Sequence, residues 1–340
     1  MSAIHEIAPS VQFEIYTEVP QWFFQQSLSV PFNYHSLSTD IGLVQKDSLH
    51  EDMESTLDSL DRFLPFELSI VAKLSETLNE MKCEMVICDI SPLGIVVAKE
   101  AGIPSVLVEN FTWDWLYEGY VNENNRLYKH INYLQEIFES TDYHIQAEPV
   151  CRYRNVDLLV NPISRKFRAS AESLREKLGM PKGAKAVVIT MGGIPGEYSF
   201  LKRLGRQPDI YFVIPGGNET ILVRDNTILL PHRSEFFHPD LVNASDLVVG
   251  KVGYSTLSEV YYAGVPFGYV PRPSFRESEI LAKYIENNMK GFSLEEAEFQ
   301  SGNWLSFLSD FLGLLRVSRS ETNGADEAAM FIRELLCLES

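Results

Sequence analysis

Short apolar runs recur along this chain, separated by longer segments with helical spacing, and that alternation constrains its fold more than any other feature. The predicted strands are Val11–Tyr16, Met85–Asp89, Ser105–Glu109, Tyr143–Gln146, Asp157–Val160, Ala186–Thr190, Ile210–Ile214, Thr227–Leu230, Leu247–Val249 and Phe267–Val270. Runs such as AVVIT and LVV are apolar almost throughout rather than at every second position. Strands of that kind suit a parallel sheet covered by helices on both faces. The predicted helices fill the intervals: Asp52–Met81, Gly94–Glu100, Tyr120–Ser140, Ala169–Leu178, Thr256–Ala263, Ser278–Asn287 and Ala325–Leu338. Strand and helix alternating through both halves imply an α/β protein of doubly wound units.

A chain of 340 residues is long enough for two domains. The predicted boundary lies between Asn161 and Lys185, in a stretch punctuated by Pro162, Pro181 and Gly183. From Arg152 to Lys185 there are nine Lys or Arg and three Asp or Glu, a basic island in an acidic chain. It reads either as a solvated linker helix or as a contribution to anion binding. The division expected is residues 1–165, residues 166–320, and a last helix within 321–340 that packs back on the first domain. The first domain opens unusually, with a short helical piece, Ser2–Ile7, and no strand before Val11. A doubly wound domain normally opens on a buried strand, so the expectation is either a protein without a leading strand or a first βα unit that has been cut away.

The charge balance, 47 acidic against 29 basic residues, gives a formal net charge of −18. That argues against nucleic acid or an anionic membrane surface as the main partner, since both need a basic footprint. It leaves room for a small anionic ligand at a local site. Four cysteines, Cys83, Cys88, Cys151 and Cys337, are too few and too scattered for a disulfide framework. They read as thiols in a reducing cytoplasm. No stretch reaches the roughly 18 apolar residues of a membrane helix. The opening MSAIHEIAPS lacks the basic and apolar segments of a signal peptide. The expected location is cytoplasmic.

The most informative segment is Thr227–Pro273. There the strand LVV runs into Gly250-Lys251-Val252-Gly253-Tyr254-Ser255-Thr256 and then into a helix. Glycines at a strand end let backbone N–H groups approach a ligand. A helix N-terminus adds unpaired donors and about half a positive charge, which suits a phosphate. Lys251 adds a full charge. The pattern is neither GxGxxG nor a P-loop. Glu259 has two readings. Thr256 and Glu259 have capping-box spacing, so Glu259 could satisfy a backbone N–H at its own helix start. It could instead accept hydrogen bonds from ribose hydroxyls, one turn into a phosphate-binding helix.

The run HPDLVNASDLVVGKVGYSTLSEVYYAGVPFGYVP resembles the nucleotide-sugar-binding signature of GT-B glycosyltransferases. It is similar to the enzyme that adds N-acetylglucosamine to the bacterial cell-wall lipid precursor, and to plant secondary-metabolite glycosyltransferases. With Asn110-Phe111-Thr112-Trp113-Asp114 it also resembles the glycosyltransferase-like N-terminal part of plant L-arabinokinases. The resemblance runs from about Glu84 to the end. It implies a GT-B fold, with two Rossmann-like doubly wound domains facing a cleft and the first strand of the N-terminal domain absent.

The resemblance also implies roles. Gly253, Tyr254, Ser255 and Thr256 would hold the diphosphate. Lys251 stands where the plant enzymes have a phosphate-contacting His. Glu259 would take the ribose hydroxyls, and Leu230, Pro231 and His232 would frame the uracil. The turn Gly192-Gly193-Ile194-Pro195-Gly196 would reach phosphate or acceptor, or would serve only as a tight turn. Arg276, Glu277 and Glu279 lie where relatives contact the donor sugar, although no matching Gln is present.

The implied activity is an inverting, metal-independent glycosyl transfer from a nucleoside-diphosphate sugar, a UDP-sugar in the first instance, to an acceptor hydroxyl. The donor is a substrate, and no cofactor is expected. The base usually comes from the loop after the first strand, the unit absent here. The remaining candidates are Asp89, Glu109 and Asp114, each with a structural alternative: Asp89 could cap the helix at Pro92, and Trp113 and Trp115 could be core aromatics. Rival functions are a nucleotide-sugar-binding module without turnover and a sugar-nucleotide 2-epimerase.

Overall fold

The computed structural model describes residues 1–192, 198–207 and 209–336. The chain divides into two compact units. One comprises Met1–Gln45, Glu51–Ile163 and Thr322–Ser340, and the other Lys46–His50 and Ser164–Glu321. Nothing in the sequence pattern foretold the exchange of Lys46–His50 into the second unit. Its anchor is Leu49, which is buried in the second unit's core.

The first unit holds two separate sheets. Strands β1 (Phe13–Thr17) and β2 (Phe32–Ser36) pair in parallel, with Phe13 opposite Phe32. Strands β3 (Val86–Asp89), β4 (Ser105–Glu109), β5 (Tyr143–Ala147) and β6 (Leu158–Val160) form a four-stranded parallel sheet in that order. Between β3 and β4 runs the helix Pro92–Ala101. Its N-cap is Ser91, whose Oγ accepts from the Gly94 N–H at 3.3 Å, and Pro92 occupies the first turn. Capping is therefore not the task of Asp89.

The helical pattern predicted over 52–81 is two helices, Met53–Phe63 and Leu68–Glu80. Pro65 lies between them; it lacks an N–H and disfavours helix at the residue before it. The first of the pair starts at Asp52, whose carboxylate accepts from the Ser55 N–H at 3.1 Å. The last helix, Gly324–Leu335, belongs to this unit and packs on the helix Ser2–Ile7 and on β6. Glu327 fixes it by accepting from the Asn161 N–H at 2.8 Å and the Asn161 amide at 2.9 Å.

The second unit is one seven-stranded sheet. Its strands are β7 (Lys185–Thr190), β8 (Ile210–Pro215), β9 (Leu222–Arg224), β10 (Thr227–Leu230), β11 (Leu247–Lys251), β12 (Phe267–Val270) and β13 (Gly291–Ser293). Their order is β13-β12-β11-β7-β8-β10-β9, parallel except for the antiparallel edge strand β9. The run AVVIT divides between two cores, Ala186 and Val188 on one face, Val187 and Ile189 on the other. That explains why it is apolar at successive positions. From β7 the chain builds outward through β8 and β10 in one direction, and β11 to β13 build in the other. The order thus reverses between β7 and β11, and ligands of open α/β sheets bind outside the carboxyl ends of strands at such a point. Among the described residues, no helix is long and apolar enough to cross a membrane.

Candidate functional site

The carboxyl ends of β7 and β11 lie side by side at this switch point. Gly250 sits inside β11 opposite Thr190. A Cβ there would fall 1.7 Å from the Thr190 carbonyl oxygen, so Gly250 serves the close approach of two strands. The glycine that opens space for a ligand is Gly253, where a Cβ would meet no atom within 4 Å.

Lys251 ends β11 and sends its side chain across Gly192, the first residue of the turn after β7. Gly192 has φ +71°, and a Cβ there would lie 3.1 Å from Lys251 Cε and 3.2 Å from Nζ. Gly192, which opens the second glycine turn picked out in the sequence, is thus a neighbour of the Lys251 ammonium. Gly193, Ile194, Pro195 and Gly196 lie outside the described residues.

The helix after β11 is Tyr254–Ala263. Gly253 is its N-cap, and no side chain caps its first turn. Tyr254, Ser255 and Thr256 therefore make up that first turn, with Ser255 exposed and Thr256 buried. Their N–H groups carry the partial positive charge of the helix end next to Lys251.

The helix starts two residues earlier than predicted, which changes the reading of Glu259. Thr256 is inside the helix and cannot be its N-cap, so the capping-box alternative fails. The Glu259 side chain is instead 2% exposed and paired with Arg165 and His238. Its Oε1 accepts from Arg165 Nε at 3.0 Å and Nη2 at 2.6 Å, and its Oε2 lies 2.6 Å from His238 Nδ1. Burial on its own would raise this carboxyl, but His238 and Arg165 outweigh burial and hold it below its ordinary range. Arg165 and its neighbour Arg168 also lie over the Phe237 ring, at 5.1 Å and 4.1 Å.

His232 is exposed, just after β10; a Cβ on Gly216 would lie 3.7 Å from its Nδ1. The segment expected to meet the donor sugar is mixed in character. Glu277 is buried, whereas Glu279 is exposed and paired with Lys283 at 2.6 Å.

In the first unit the three candidate bases have different surroundings. Glu109, at the end of β4, is buried; its Oε1 is 2.8 Å from His144 Nε2 and accepts from the Gln146 amide at 2.8 Å. Asp114 is buried in the first turn of the helix Trp113–Glu118, with Oδ2 3.4 Å from Arg154 Nη2. Burial pushes its carboxyl up despite Thr112 and Arg154. Asp89 ends β3 with its side chain open to solvent yet densely surrounded by protein, and that crowding raises its carboxyl. Trp115 is buried, while Trp113 is only partly so.

A fourth carboxylate, absent from the sequence-based candidates, joins Asp89. Trp113 Nε1 donates to Asp40 Oδ2 at 3.2 Å. Burial, partly offset by the indole, and the charges of Asp89 and Glu18 push the Asp40 carboxyl up to about 6.

No protein-family model matches the chain. Over 97% of its length it is 28% identical to L-arabinokinase of Arabidopsis thaliana, of which it spans 32%. Over 46% of its length it is 27% identical to an N-acetylglucosamine transferase of Caldicellulosiruptor saccharolyticus that acts on a pyrophosphoryl-undecaprenol substrate, and it spans 47% of that protein. The chain therefore covers less than half of each relative. Among solved structures, the calicheamicin glycosyltransferase CalG4 superposes over 99% of this chain and 90% of its own, with a TM-score of 0.58 at 12% identity. The chain has the GT-B fold and is similar to glycosyltransferases. Its two units, the second doubly wound and the first built on a four-stranded parallel sheet in sequential order, are the Rossmann-like pair of that fold.

Set in the GT-B frame, the residues that sequence reasoning missed are Arg165, His238 and Asp40. Arg165 lay within the basic island, and His238 within the His-Pro that opens the signature, so both were visible without a role. Asp40 sits in a polar loop, TDIG, with no periodic pattern to mark it.

Proposed function

We propose that the chain transfers a glycosyl group from a nucleoside-diphosphate sugar, in the first instance a UDP-sugar, to an acceptor hydroxyl, with inversion and without a metal ion. The observation that carries this reading is the Lys251 ammonium lying against Gly192 at the switch point, beside the uncapped start of the helix Tyr254–Ala263. A diphosphate there meets a full positive charge and a helix N-terminus together. When the bond from the anomeric carbon to the diphosphate oxygen breaks, negative charge grows on that oxygen, and preorganised donors stabilise it without reorganising. In this reading these groups supply the charge that a metal ion provides elsewhere.

Glu259 takes a ribose hydroxyl. A carboxylate oxygen can accept two hydrogen bonds, and Oε2 has one partner, His238, among those described. Arg165 already fills Oε1 with two donors. The proposal therefore gives Glu259 one ribose hydroxyl rather than a symmetric diol. It also sets the reaction in the cytoplasm, in keeping with scattered thiols.

The test is UDP release from a panel of UDP-sugars with alcohol acceptors. Release that depends on Lys251 supports the transferase. A second reading, a binding module without turnover, draws on the match to an arabinokinase of which this chain spans 32%. UDP binding without release under any acceptor favours that second reading.

A further inference from the structure

Three helices of the second unit each start after the carboxyl end of one strand and stop before the next strand begins. His238–Ala244 runs from β10 to β11, Tyr254–Ala263 from β11 to β12, and Glu277–Asn288 from β12 to β13. These strands are parallel within one sheet. The three helix starts therefore share the end of the sheet where ligands bind, and the three helix ends share the opposite one.

The three ends meet one irregular segment, residues 316–319. Its Val317 N–H donates at 2.8 Å to the carbonyl of Gly264, the residue after the helix Tyr254–Ala263. The contact is close, since a Cβ on Gly264 would fall 1.9 Å from the Val317 carbonyl oxygen. The flanking arginines reach the last carbonyls of all three helices. Arg316 donates through Nη1 to the Ala263 carbonyl at 3.4 Å, and through Nη2 to those of Asn243, at 2.7 Å, and Ser245. Arg319 donates through Nε to the Tyr261 carbonyl at 3.3 Å and through Nη2 to that of Asn288. Its guanidinium also lies 3.9 Å over the Tyr261 ring, and its side chain is 11% exposed.

The last carbonyls of a helix lack partners within it, and a cation at that end complements its dipole. Capping alone needs one arginine per helix. Here each guanidinium bridges two helices: Arg316 joins His238–Ala244 to Tyr254–Ala263, and Arg319 joins Tyr254–Ala263 to Glu277–Asn288. The shared member is the helix whose uncapped start adjoins Lys251.

We infer that Arg316 and Arg319 are positioning residues for nucleotide binding, fixing the helix Tyr254–Ala263 along its axis so that its first turn meets the diphosphate. This rests on the diphosphate reading above. The helix has 10 residues, so its two ends lie about 15 Å apart. Over that length a helix moves as a rod, and a slip at one end appears at the other. Hydrogen bonds from N–H to oxygen hold only between roughly 2.7 and 3.2 Å, so a slip of about 0.5 Å weakens those made to a phosphate. A nucleoside has no phosphate to sense the slip. Glu259, on the same helix, is held separately by Arg165 and His238.

The experiment titrates UDP and uridine into the whole chain as wild type, Arg319→Ala and Arg316→Ala, with thermal denaturation to show that each variant is folded at the titration temperature. Each variant is expected to lose about fivefold or more in UDP affinity, while uridine affinity changes by less than about twofold. Arg319→Lys is expected to recover part of the loss, because an ammonium can meet one carbonyl but lacks the fork that spans two helices. Arg316 is the more exposed of the two, so Arg316→Ala decides if Arg319→Ala fails to fold. A merely structural role lowers the melting temperature and leaves both affinities unchanged. That result in a folded variant overturns the inference and leaves the diphosphate reading intact. Equal affinity of the wild type for UDP and uridine overturns the diphosphate reading, and the inference with it.

Discussion

The Arg165 guanidinium donates to one oxygen of the Glu259 carboxylate through both Nε, at 3.0 Å, and Nη2, at 2.6 Å. With the Glu259 side chain 2% exposed, that pair neutralises a charge which would otherwise be stranded in the second unit. Removing one partner of a buried pair costs more than the pair contributes, because the survivor stays desolvated. Arg165→Ala should therefore destabilise the second unit by about 2–4 kcal/mol at neutral pH. The loss should shrink as pH falls, since the orphaned Glu259 can then take a proton. Arg165→Lys should recover only part of it, because an ammonium cannot reproduce the fork. Thermal denaturation across pH checks this.

Gly250 and Gly253, three residues apart in one motif, should respond oppositely to the same substitution. Gly250→Ala puts a Cβ 1.7 Å from the Thr190 carbonyl and must push β7 and β11 apart. A loss of about 3 kcal/mol or more is expected. Gly253→Ala meets nothing within 4 Å and should change stability by less than about 1 kcal/mol. If it costs UDP affinity while leaving stability alone, the open space at the helix start belongs to the ligand. Chemical denaturation and UDP titration of both variants separate the two roles.

Asp40 should show the opposite of a stabilising carboxylate. Its pKa rises from 3.8 to about 6 on folding, so its ionised form is disfavoured in the native state. A group raised in this way favours the fold most below pH ~4 and loses that contribution as pH climbs through 6. At pH 7 Asp40→Asn should therefore stabilise the protein, by roughly 1–3 kcal/mol. Below pH ~4 the gain should vanish. Equilibrium denaturation at pH 4 and pH 7 measures the difference, and an Asn variant less stable at pH 7 contradicts the burial of this charge.

Asp246 should behave in the reverse sense. Burial works to raise its carboxyl, but the Ala186 N–H at 2.8 Å, Arg175 Nη2 at 2.7 Å and Lys185 Nζ at 3.2 Å lower it on balance. Its contribution is complete above the unfolded value of about 4 and disappears as pH falls through the lower folded value. Asp246→Asn should cost about 1–3 kcal/mol at neutral pH and little in strong acid. The same denaturation series tests it.

What the sequence made legible follows from range. AVVIT and LVV announced buried parallel strands because both faces of one strand show in consecutive letters, and Val187 and Val188 indeed enter different cores. Strands β2, β9 and β13 stayed hidden because FNYHS, LVR and GFS are short or half polar. The glycine turns and Lys251 were visible, being close together along the chain. The surroundings of Glu259 were not, since Arg165 lies 94 positions away and His238 lies 21 away. Local spacing favoured a capping box there, and only the earlier start of the helix removes it. Asp40 owes its raised carboxyl to burial and to Asp89 and Glu18, against an indole 73 positions distant that lowers it, and no local pattern can encode that balance.

The central claim is that Lys251 and the start of the helix Tyr254–Ala263 bind the diphosphate of a nucleotide. Calorimetric titration of UDP and of uridine into the wild type and into Lys251→Ala tests it most directly. The wild type should bind UDP at least about tenfold more tightly than uridine, and Lys251→Ala should remove most of that difference with uridine affinity unchanged. Equal affinity for UDP and uridine in the wild type, or a UDP preference untouched by Lys251→Ala, would contradict the claim.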